Sequence, residues 1–206
     1  MEEAIYAGEK LPVMEAFYTL QGEGAHQGKA AYFIRLAGCD VGCHWCDVKE
    51  SWQQEGHPIF TAEEIVEKAA ANPARLAVIT GGEPLLHNLD KLTNLLHQQG
   101  FIINIETSGS SPLSGELDWI CLSPKKFKNP LPEAYQKAQE LKIIVFNEHD
   151  FRWAEEEASK VNPDCVLLLQ PEWGRQEKML PRIIEYVKQN PKWRISLQTH
   201  KFMQIP

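Results

Sequence analysis

Short runs rich in apolar and β-branched residues alternate along this chain with longer stretches in which apolar residues recur every three or four positions. Residues 31–36 (AYFIRL), 76–80 (LAVIT), 101–106 (FIINIE), 118–122 (DWICL), 143–146 (IIVF) and 165–170 (CVLLLQ) have the length and composition of buried strands. A last strand runs over 193–198, and 13–19 forms a short strand or hairpin arm ahead of the first. Helices fill the gaps. Thr61-Ala62-Glu63-Glu64 is a capping box, with Thr at the N-cap and Glu three residues on, and it opens a helix toward Ala71. Leu89, Leu92, Leu95 and Leu96 make the apolar face of a second helix, which Gly100 ends as a C-cap. Pro132 suits the first turn of a helix through Leu141. Two more helices cover 152–160 and 176–189.

Strands that alternate with helices imply parallel strands joined by helical crossovers. About six such units are too few for a closed eight-stranded barrel. The pattern therefore predicts an α/β fold, a partial, open (β/α)6-type barrel of mostly parallel strands, in one domain over residues 1–206. Nearly every strand is followed by a polar or glycine-rich cluster. Cys39 to Cys46 follows the first, Thr80-Gly81-Gly82-Glu83-Pro84 the second and Glu106-Thr107-Ser108-Gly109 the third. Ser123-Pro124-Lys125, Gln170-Pro171 and Gln198-Thr199-His200-Lys201 end later strands. In parallel α/β folds the carboxyl ends of the strands share one face, where ligands bind. The clusters either converge there or are ordinary turns.

Composition narrows the chemistry. Of 206 residues, 43% are apolar and 24% charged, as in an ordinary globular chain. No apolar run approaches the roughly 20 residues that span a bilayer. The acidic start Met1-Glu2-Glu3 is followed by no signal-like stretch, so the expected compartment is the cytoplasm. A net charge of −7 argues against a general nucleic-acid binder, which needs a basic face. Cysteines number five, with three of them inside eight residues, and in a cytoplasmic chain such clustering reads as metal chemistry, not a disulfide framework.

That triplet, Cys39-Asp40-Val41-Gly42-Cys43-His44-Trp45-Cys46, has the spacing C-x3-C-x2-C. Soft thiolates select zinc or iron–sulfur clusters. A structural zinc site wants four protein ligands, and His44 is a strained fourth from inside the loop. Three thiolates on a four-iron cubane leave one iron open to a substrate or cofactor. Later in the chain, Gly81-Gly82-Glu83-Pro84 either forms a tight turn or brings backbone and a carboxylate close to an ammonium.

Taken together, the triplet and the GGEP segment resemble the radical S-adenosylmethionine superfamily, in which the open iron holds the methionyl amine and carboxylate. More of the chain, from about Met14 to Pro206, is similar to the 7-carboxy-7-deazaguanine synthases of queuosine and deazapurine biosynthesis. The similarity rests on Thr19-Leu20-Gln21-Gly22-Glu23-Gly24, Phe33-Ile34-Arg35-Leu36, residues 79–84, residues 106–109, Ser123-Pro124-Lys125, Leu169-Gln170-Pro171 and residues 198–201. The reaction it implies is the ring contraction of 6-carboxy-5,6,7,8-tetrahydropterin to 7-carboxy-7-deazaguanine, with loss of ammonia. A 5′-deoxyadenosyl radical would take a hydrogen from C6 and later return it, so that S-adenosylmethionine is regenerated. The resemblance further implies a [4Fe-4S] cluster on Cys39, Cys43 and Cys46, an electron donor such as flavodoxin or ferredoxin, and a homodimer. No nucleic-acid or membrane partner is expected, on the charge and the apolar run lengths given above.

Residue by residue, the resemblance puts Leu20, Gln21, Gly22, Arg35, Thr80 and Pro206, with its α-carboxylate, on the pterin side. Trp45, Asp47, Gly82, Glu83, Ser123, Pro124, Lys125 and Gln170 fall on the S-adenosylmethionine side, and Glu23, Glu106, Thr107 and His200 are further candidates. Arg35 offers a forked cation to the substrate carboxylate, or else forms a structural ion pair. Cys121 and Cys165 lie in strands as small buried hydrophobes. Mg²⁺ belongs to the family pattern too, but Val48 stands where many members carry a Thr or Ser ligand and has no ligand atom. Two other readings compete: a glycyl-radical activase, which shares the cysteine spacing, and a small iron–sulfur carrier or zinc module, for which three cysteines are too few.

Overall fold

The structure is a computed structural model that describes residues 2–206. Helix α1 (Glu2–Tyr6) leads into β1 (Lys10–Leu20), which pairs antiparallel with β2 (Ala30–Leu36) on one side and with β3 (Ile59–Thr61) on the other. After β3 the chain runs α2 (Ala62–Ala70), β4 (Leu76–Gly81), α3 (Asp90–Gln98), β5 (Ile102–Thr107) and, with no helix between, β6 (Trp119–Leu122). There follow α4 (Pro132–Lys137), β7 (Glu140–Val145), α5 (His149–Ala158), β8 (Val166–Pro171), α6 (Gln176–Gln189), β9 (Trp193–Ile195) and α7 (Thr199–Met203). The sheet order is β3-β1-β2-β4-β5-β6-β7-β8-β9, and every pair from β2 to β9 is parallel. Strands β3 and β9 are the two edges, so the barrel is partial and open, as the alternation predicts.

Alternate residues of each strand fall on two faces with different duties. Ala77 and Ile79 of β4, with Ile103 and Ile105 of β5, pack outward against Leu92 and Leu96 of α3 and Ile65 and Val66 of α2. Leu141, Ile143 and Val145 of β7 and Leu169 of β8 do the same against Ala154 of α5 and Met179 and Ile183 of α6. The inward positions change character along the sheet. Ala31, Leu76 and Val78 form a small apolar cluster there. Beyond it come Asn104, Glu106, Glu140, Lys142, Gln170 and Ser196, all polar, and all buried except the half-buried Glu106.

The capping box is present as read, with Thr61 Oγ1 accepting from the Glu64 N–H at 3.2 Å and Glu64 Oε2 accepting from the Thr61 N–H at 2.7 Å. Gly100 follows α3 at φ +76°, the left-handed conformation that a helix-ending glycine takes. Four boundaries differ from the sequence expectation, each for a physical reason. Strand β7 begins at Glu140, not Ile143, because Glu140 and Lys142 point inward as polar residues and break the apolar run. That start cuts α4 short at Lys137, well before Leu141. Helix α5 opens at His149, where Asp150 Oδ2 takes the Phe146 and Asn147 N–H groups at 2.7 and 2.8 Å. Strand β9 stops at Ile195, and His200 and Lys201 ride on α7, not on a strand end.

The open side is bridged by loops instead of strand pairing. Thr199 N–H donates to Gly22 O at 2.9 Å and Gly24 N–H to Ser196 Oγ at 3.0 Å. The segment after β1 thus meets the end of the chain. No helix among the described residues is long and apolar enough to cross a membrane.

Candidate active site

The loop after β2 carries the cysteines. Its base is pinned by Gly38 N–H to Ser51 O (2.7 Å) and Cys39 N–H to Trp52 O (3.0 Å), and Cys46 N–H turns back onto Cys43 O at 3.0 Å. All three thiols are free and half-buried, while Cys121 and Cys165 are buried in the sheet region. Among the described residues no group of three His, Cys, Asp or Glu closes on a single metal ion. A cubane asks for something else, one thiolate on each of three irons. Burial pushes the Cys39 and Cys43 thiols up, a cost that metal ligation, which deprotonates a coordinating thiol, would reverse. His44 is exposed and lies edge-on to Trp45 at 4.3 Å, so it packs on the aromatic cover of the loop. Trp45 also meets Phe127 (5.6 Å) and Phe146 (5.9 Å).

The GGEP turn is fitted to this loop. A Cβ on Gly82 would lie 2.3 Å from Gly38 O and 2.7 Å from Cys39 Cβ, so only glycine lets the two loops touch. The Glu83 carboxylate is 1% exposed and accepts four hydrogen bonds, from Leu85 N–H (3.1 Å), Thr107 Oγ1 (2.5 Å), Ser108 N–H (2.8 Å) and Ser108 Oγ (2.5 Å). A carboxylate has about four acceptor sites, and all of these are taken. Its side chain therefore ties the turn to the end of β5 while it lines the cavity.

Opposite the loop lies a floor of residues on β5, β7 and β8 and on the segments just after β1 and β9. Lys142, 5% exposed in its side chain, donates to Glu23 Oε2 at 2.6 Å and to Glu106 Oε2 at 2.8 Å. Gln198 Nε2 donates to Glu23 Oε1 at 2.8 Å and Ser196 Oγ to Gln170 Oε1 at 2.6 Å. Gln21 accepts from the Glu23 N–H at 3.1 Å and donates to Glu106 Oε1 at 3.3 Å. Burial pushes the Glu23 carboxyl up, but Lys142, Gln170 and Gln198 outweigh it and hold it down at about 2. Burial works against the Lys142 ammonium, yet Cys121, Glu106, Glu23 and Glu140 together raise it well above its ordinary value. Glu106 is raised, because burial outweighs the pull of Lys142.

Between loop and floor is a cavity of about 490 Å³, within the usual range for a small-molecule site. It is lined by Leu20, Gln21, Gly22, Glu23, Arg35, Cys39, Cys43, Trp45, Cys46, Asp47, Thr80, Gly82 and Glu83. Glu106, Thr107, Ser123, Lys125, Gln170, His200 and Pro206 complete the set that sequence reasoning singled out. Pro124 alone of those candidates is not in the lining. It is buried between Ser123 and Lys125, where Lys125 Nζ folds back onto Ser123 O and Oγ at 2.5 and 2.9 Å. Arg35 forms the ion pair that one reading expected, and it also lines the cavity. Its Nε–H pairs with Glu15 at 2.6 Å, while the side chain, 20% exposed, stands at the cavity wall beside its β4 neighbour Thr80. Gly22 is required by the chain end, since a Cβ there would lie 2.3 Å from His200 Nδ1.

Sequence reasoning missed Lys142 and Trp173 as lining residues, while Lys201 and Val48, which it placed near the mouth, do line the cavity. Lys142 did leave a signal, a lone cation one residue ahead of an apolar strand run. Lys201 donates to Asp47 at 2.8 Å and Trp173 meets Phe202 at 5.6 Å, pairings between distant segments that no local spacing announces.

An open parallel barrel with three free cysteines on the loop after its first parallel strand, facing a glycine turn, defines a radical S-adenosylmethionine protein. Residues 33–142, more than half the chain, match the Radical SAM superfamily. The relatives narrow the class. A 7-carboxy-7-deazaguanine synthase of Flavobacterium psychrophilum is 56% identical over 203 residues, covering 98% of this chain and 96% of that protein. One from Synechocystis sp. is 48% identical, covering 94% and 93%. The crystal structure of QueE from Escherichia coli superposes with a TM-score of 0.83 at 32% identity, over 95% of this chain and 96% of that one. The chain belongs to the 7-carboxy-7-deazaguanine synthase family.

Proposed function

We propose residue roles for the reaction of this family, a lyase reaction that contracts the ring of 6-carboxy-5,6,7,8-tetrahydropterin to 7-carboxy-7-deazaguanine with loss of ammonia. The observation that carries the reading is the single cavity shared by the cysteine loop and the polar floor. When bound, a [4Fe-4S] cluster and S-adenosylmethionine supply the radical that begins the chemistry. The residues fit both groups: three thiols on one loop, and a glycine contact that leaves the neighbouring backbone close to a ligand.

Cys39, Cys43 and Cys46 hold the cluster. Trp45 and its aromatic neighbours exclude water from it. Gly82, Ser123, Lys125 and Gln170 position the S-adenosylmethionine, with Asp47 at its ribose end. On the substrate side, Arg35 meets the pterin carboxylate through the terminal N–H groups that its Glu15 pair leaves over. Leu20, Gln21, Gly22 and Thr80 present backbone and side-chain groups to the pterin edge, and Pro206 closes the rim. Magnesium does not fit well: Val48 has no ligand atom, and the carboxylate beside it, Asp47, is paired with Lys201. No step is assigned to it.

The partner set follows the same reading: one-electron supply from a flavodoxin or ferredoxin, a homodimer, and a reducing cytoplasm in which the thiols stay free. The deciding experiment is an anaerobic assay of the reconstituted protein with 6-carboxytetrahydropterin, S-adenosylmethionine and a reductant. Formation of 7-carboxy-7-deazaguanine and ammonia is expected. A protein that cleaves S-adenosylmethionine but makes neither would overturn the reading.

A further inference from the structure

The last stage of the ring contraction is a proton problem, and the proposed reaction leaves it without an assigned residue. Once the hydrogen has been returned, the rearranged molecule is an isomer of the substrate and still holds the nitrogen that leaves. A carbon-bound proton must then be removed and a proton delivered to that nitrogen. A group that does this has to face the cavity, be able to hold a proton, and have an oxygen or nitrogen not already committed.

Four side-chain carboxylates that line the cavity differ sharply by that test, and a fifth, Glu172, caps its own turn by accepting the Gly174 N–H on Oε1 at 3.0 Å. Glu83 has all its acceptor sites filled. Glu23 is locked between Lys142 at 2.6 Å and Gln198 at 2.8 Å and stays ionised down to about 2. Asp47 is paired with Lys201 at the exposed rim. Glu106 is different. Its Oε2 is held by Lys142 at 2.8 Å, but Oε1 receives only two long contacts, from Gln21 at 3.3 Å and Asn104 at 3.5 Å. It sits near the carboxyl end of β5, lines the cavity, and is more easily protonated than an ordinary carboxylate.

We propose that Glu106 is the catalytic proton carrier of the ammonia-releasing step, acting through Oε1 while Lys142 fixes the other oxygen. The C–H bond of the contracted ring breaks and its electron pair becomes the ring double bond. The neighbouring C–N bond breaks with its pair on nitrogen. Glu106 takes the proton from carbon and passes it to that nitrogen, so ammonia leaves and the carboxylate ends as it began. Nothing is oxidised or reduced, and no co-reactant is needed. Lys142 is the positioning residue, since its ammonium keeps the carboxylate in place and basic only in part.

This inference rests on the proposed reaction, and the test separates the two. Wild type and Glu106→Gln are reconstituted and given one equivalent of substrate deuterated at C6. Ammonia release, deuterium in recovered S-adenosylmethionine and binding of the product 7-carboxy-7-deazaguanine are then measured. In Glu106→Gln, ammonia release should slow by about 100-fold or more, the scale of a lost general acid–base group. Deuterium transfer and product binding should stay at the wild-type level. Ammonia release at the wild-type rate, deuterium transfer slowed in step with it, or lost product binding would each overturn the proposal. Should the glutamine variant not fold, Glu106→Asp is measured the same way and must slow ammonia release more than deuterium transfer. A wild type that releases no ammonia would instead count against the proposed function.

Discussion

The cysteine loop and the polar floor face each other across one cavity but are built by opposite means. The loop is irregular chain, its thiols are unpaired, and its order comes from a few backbone hydrogen bonds and an aromatic cover. The floor is made of residues on β5, β7 and β8 and just after β1 and β9, and their polar atoms already bond one another. Among the described residues the only buried side-chain nitrogen or oxygen without a partner is His26 Nδ1, which belongs to neither region's chemistry. The loop is therefore a site that its metal completes, whereas the floor is organised before any ligand arrives. In the proposed reaction, a pterin set against the organised side would stay fixed while reactive chemistry is delivered from the other.

The first way to break this comparison is at the thiols. Cys39→Ala, Cys43→Ala or Cys46→Ala should abolish turnover and the iron–sulfur absorbance. The metal-free chain should lose no more than about 0.5 kcal/mol in urea unfolding, because these half-buried loop side chains carry no core packing. Cys121→Ala and Cys165→Ala should do the reverse, keeping the cluster and costing about 1 kcal/mol each in lost packing. A lost cluster in either of that second pair would refute the ligand assignment.

Lys142→Met attacks the floor. It leaves Glu23 and Glu106 side by side without their shared cation, and breaking a buried pair in this way costs about 3–5 kcal/mol. Urea denaturation of the metal-free protein should show the loss, and the cluster should still assemble in the fraction that remains folded. A cost below about 1 kcal/mol would mean that water already reaches and screens these groups.

The same contrast explains what the sequence revealed. The cysteine triplet, the GGEP turn and the capping box are local, since the chemistry of each is fixed by spacings of a few residues. Strand and helix periods are local too, and they placed the barrel and its mouth. The floor is not local. Lys142 meets Glu23 across 119 positions and Gln198 meets Glu23 across 175, so nothing in either neighbourhood announces the pair. Glu83 shows the converse limit: the motif located it at the mouth, but only the fold reveals that Thr107 and Ser108, on β5 and just beyond it, take up its oxygens. The strand end misjudged at Gln198 belongs to the same class, because α7 is held by its contact with Gly22 and not by its own sequence.

A smaller effect sharpens the comparison through pH. Glu23 sits at about 2 in the folded protein against an ordinary value of 4.5, so the folded state holds its proton less tightly than the unfolded chain. A depressed carboxyl contributes stability that is fully present above the ordinary value and is lost as pH falls through the folded one. Unfolding free energy should therefore fall with acid between about 4.5 and about 2, and Glu23→Gln should flatten that limb. Equal slopes in the two proteins would show that Glu23 is not the group held down. The loop offers no such limb, since burial moves the Cys39 and Cys43 thiols in the opposite direction and at alkaline pH.

The smallest expected effect lies where the two regions meet, at the rim below Asp47. Val48 lines the cavity and has no ligand atom, while Lys201 of α7 places its ammonium 2.8 Å from Asp47 Oδ2. A cation is thus already supplied beside the carboxylate that would otherwise share a metal ion. Arg35 lines the same cavity, and its proposed role is to meet the substrate carboxylate. Turnover of the wild type should consequently be unchanged by chelation of divalent cations after the cluster is assembled, and unchanged by added Mg²⁺. Val48→Thr restores a hydroxyl at the position without removing Lys201, so it should leave both results as they were. Lys201→Met in the Val48→Thr background removes the resident cation, and only there should added Mg²⁺ raise turnover. Strict dependence of the wild type on Mg²⁺ would place the metal elsewhere in the cavity and show that the side chain at position 48 never decided the matter.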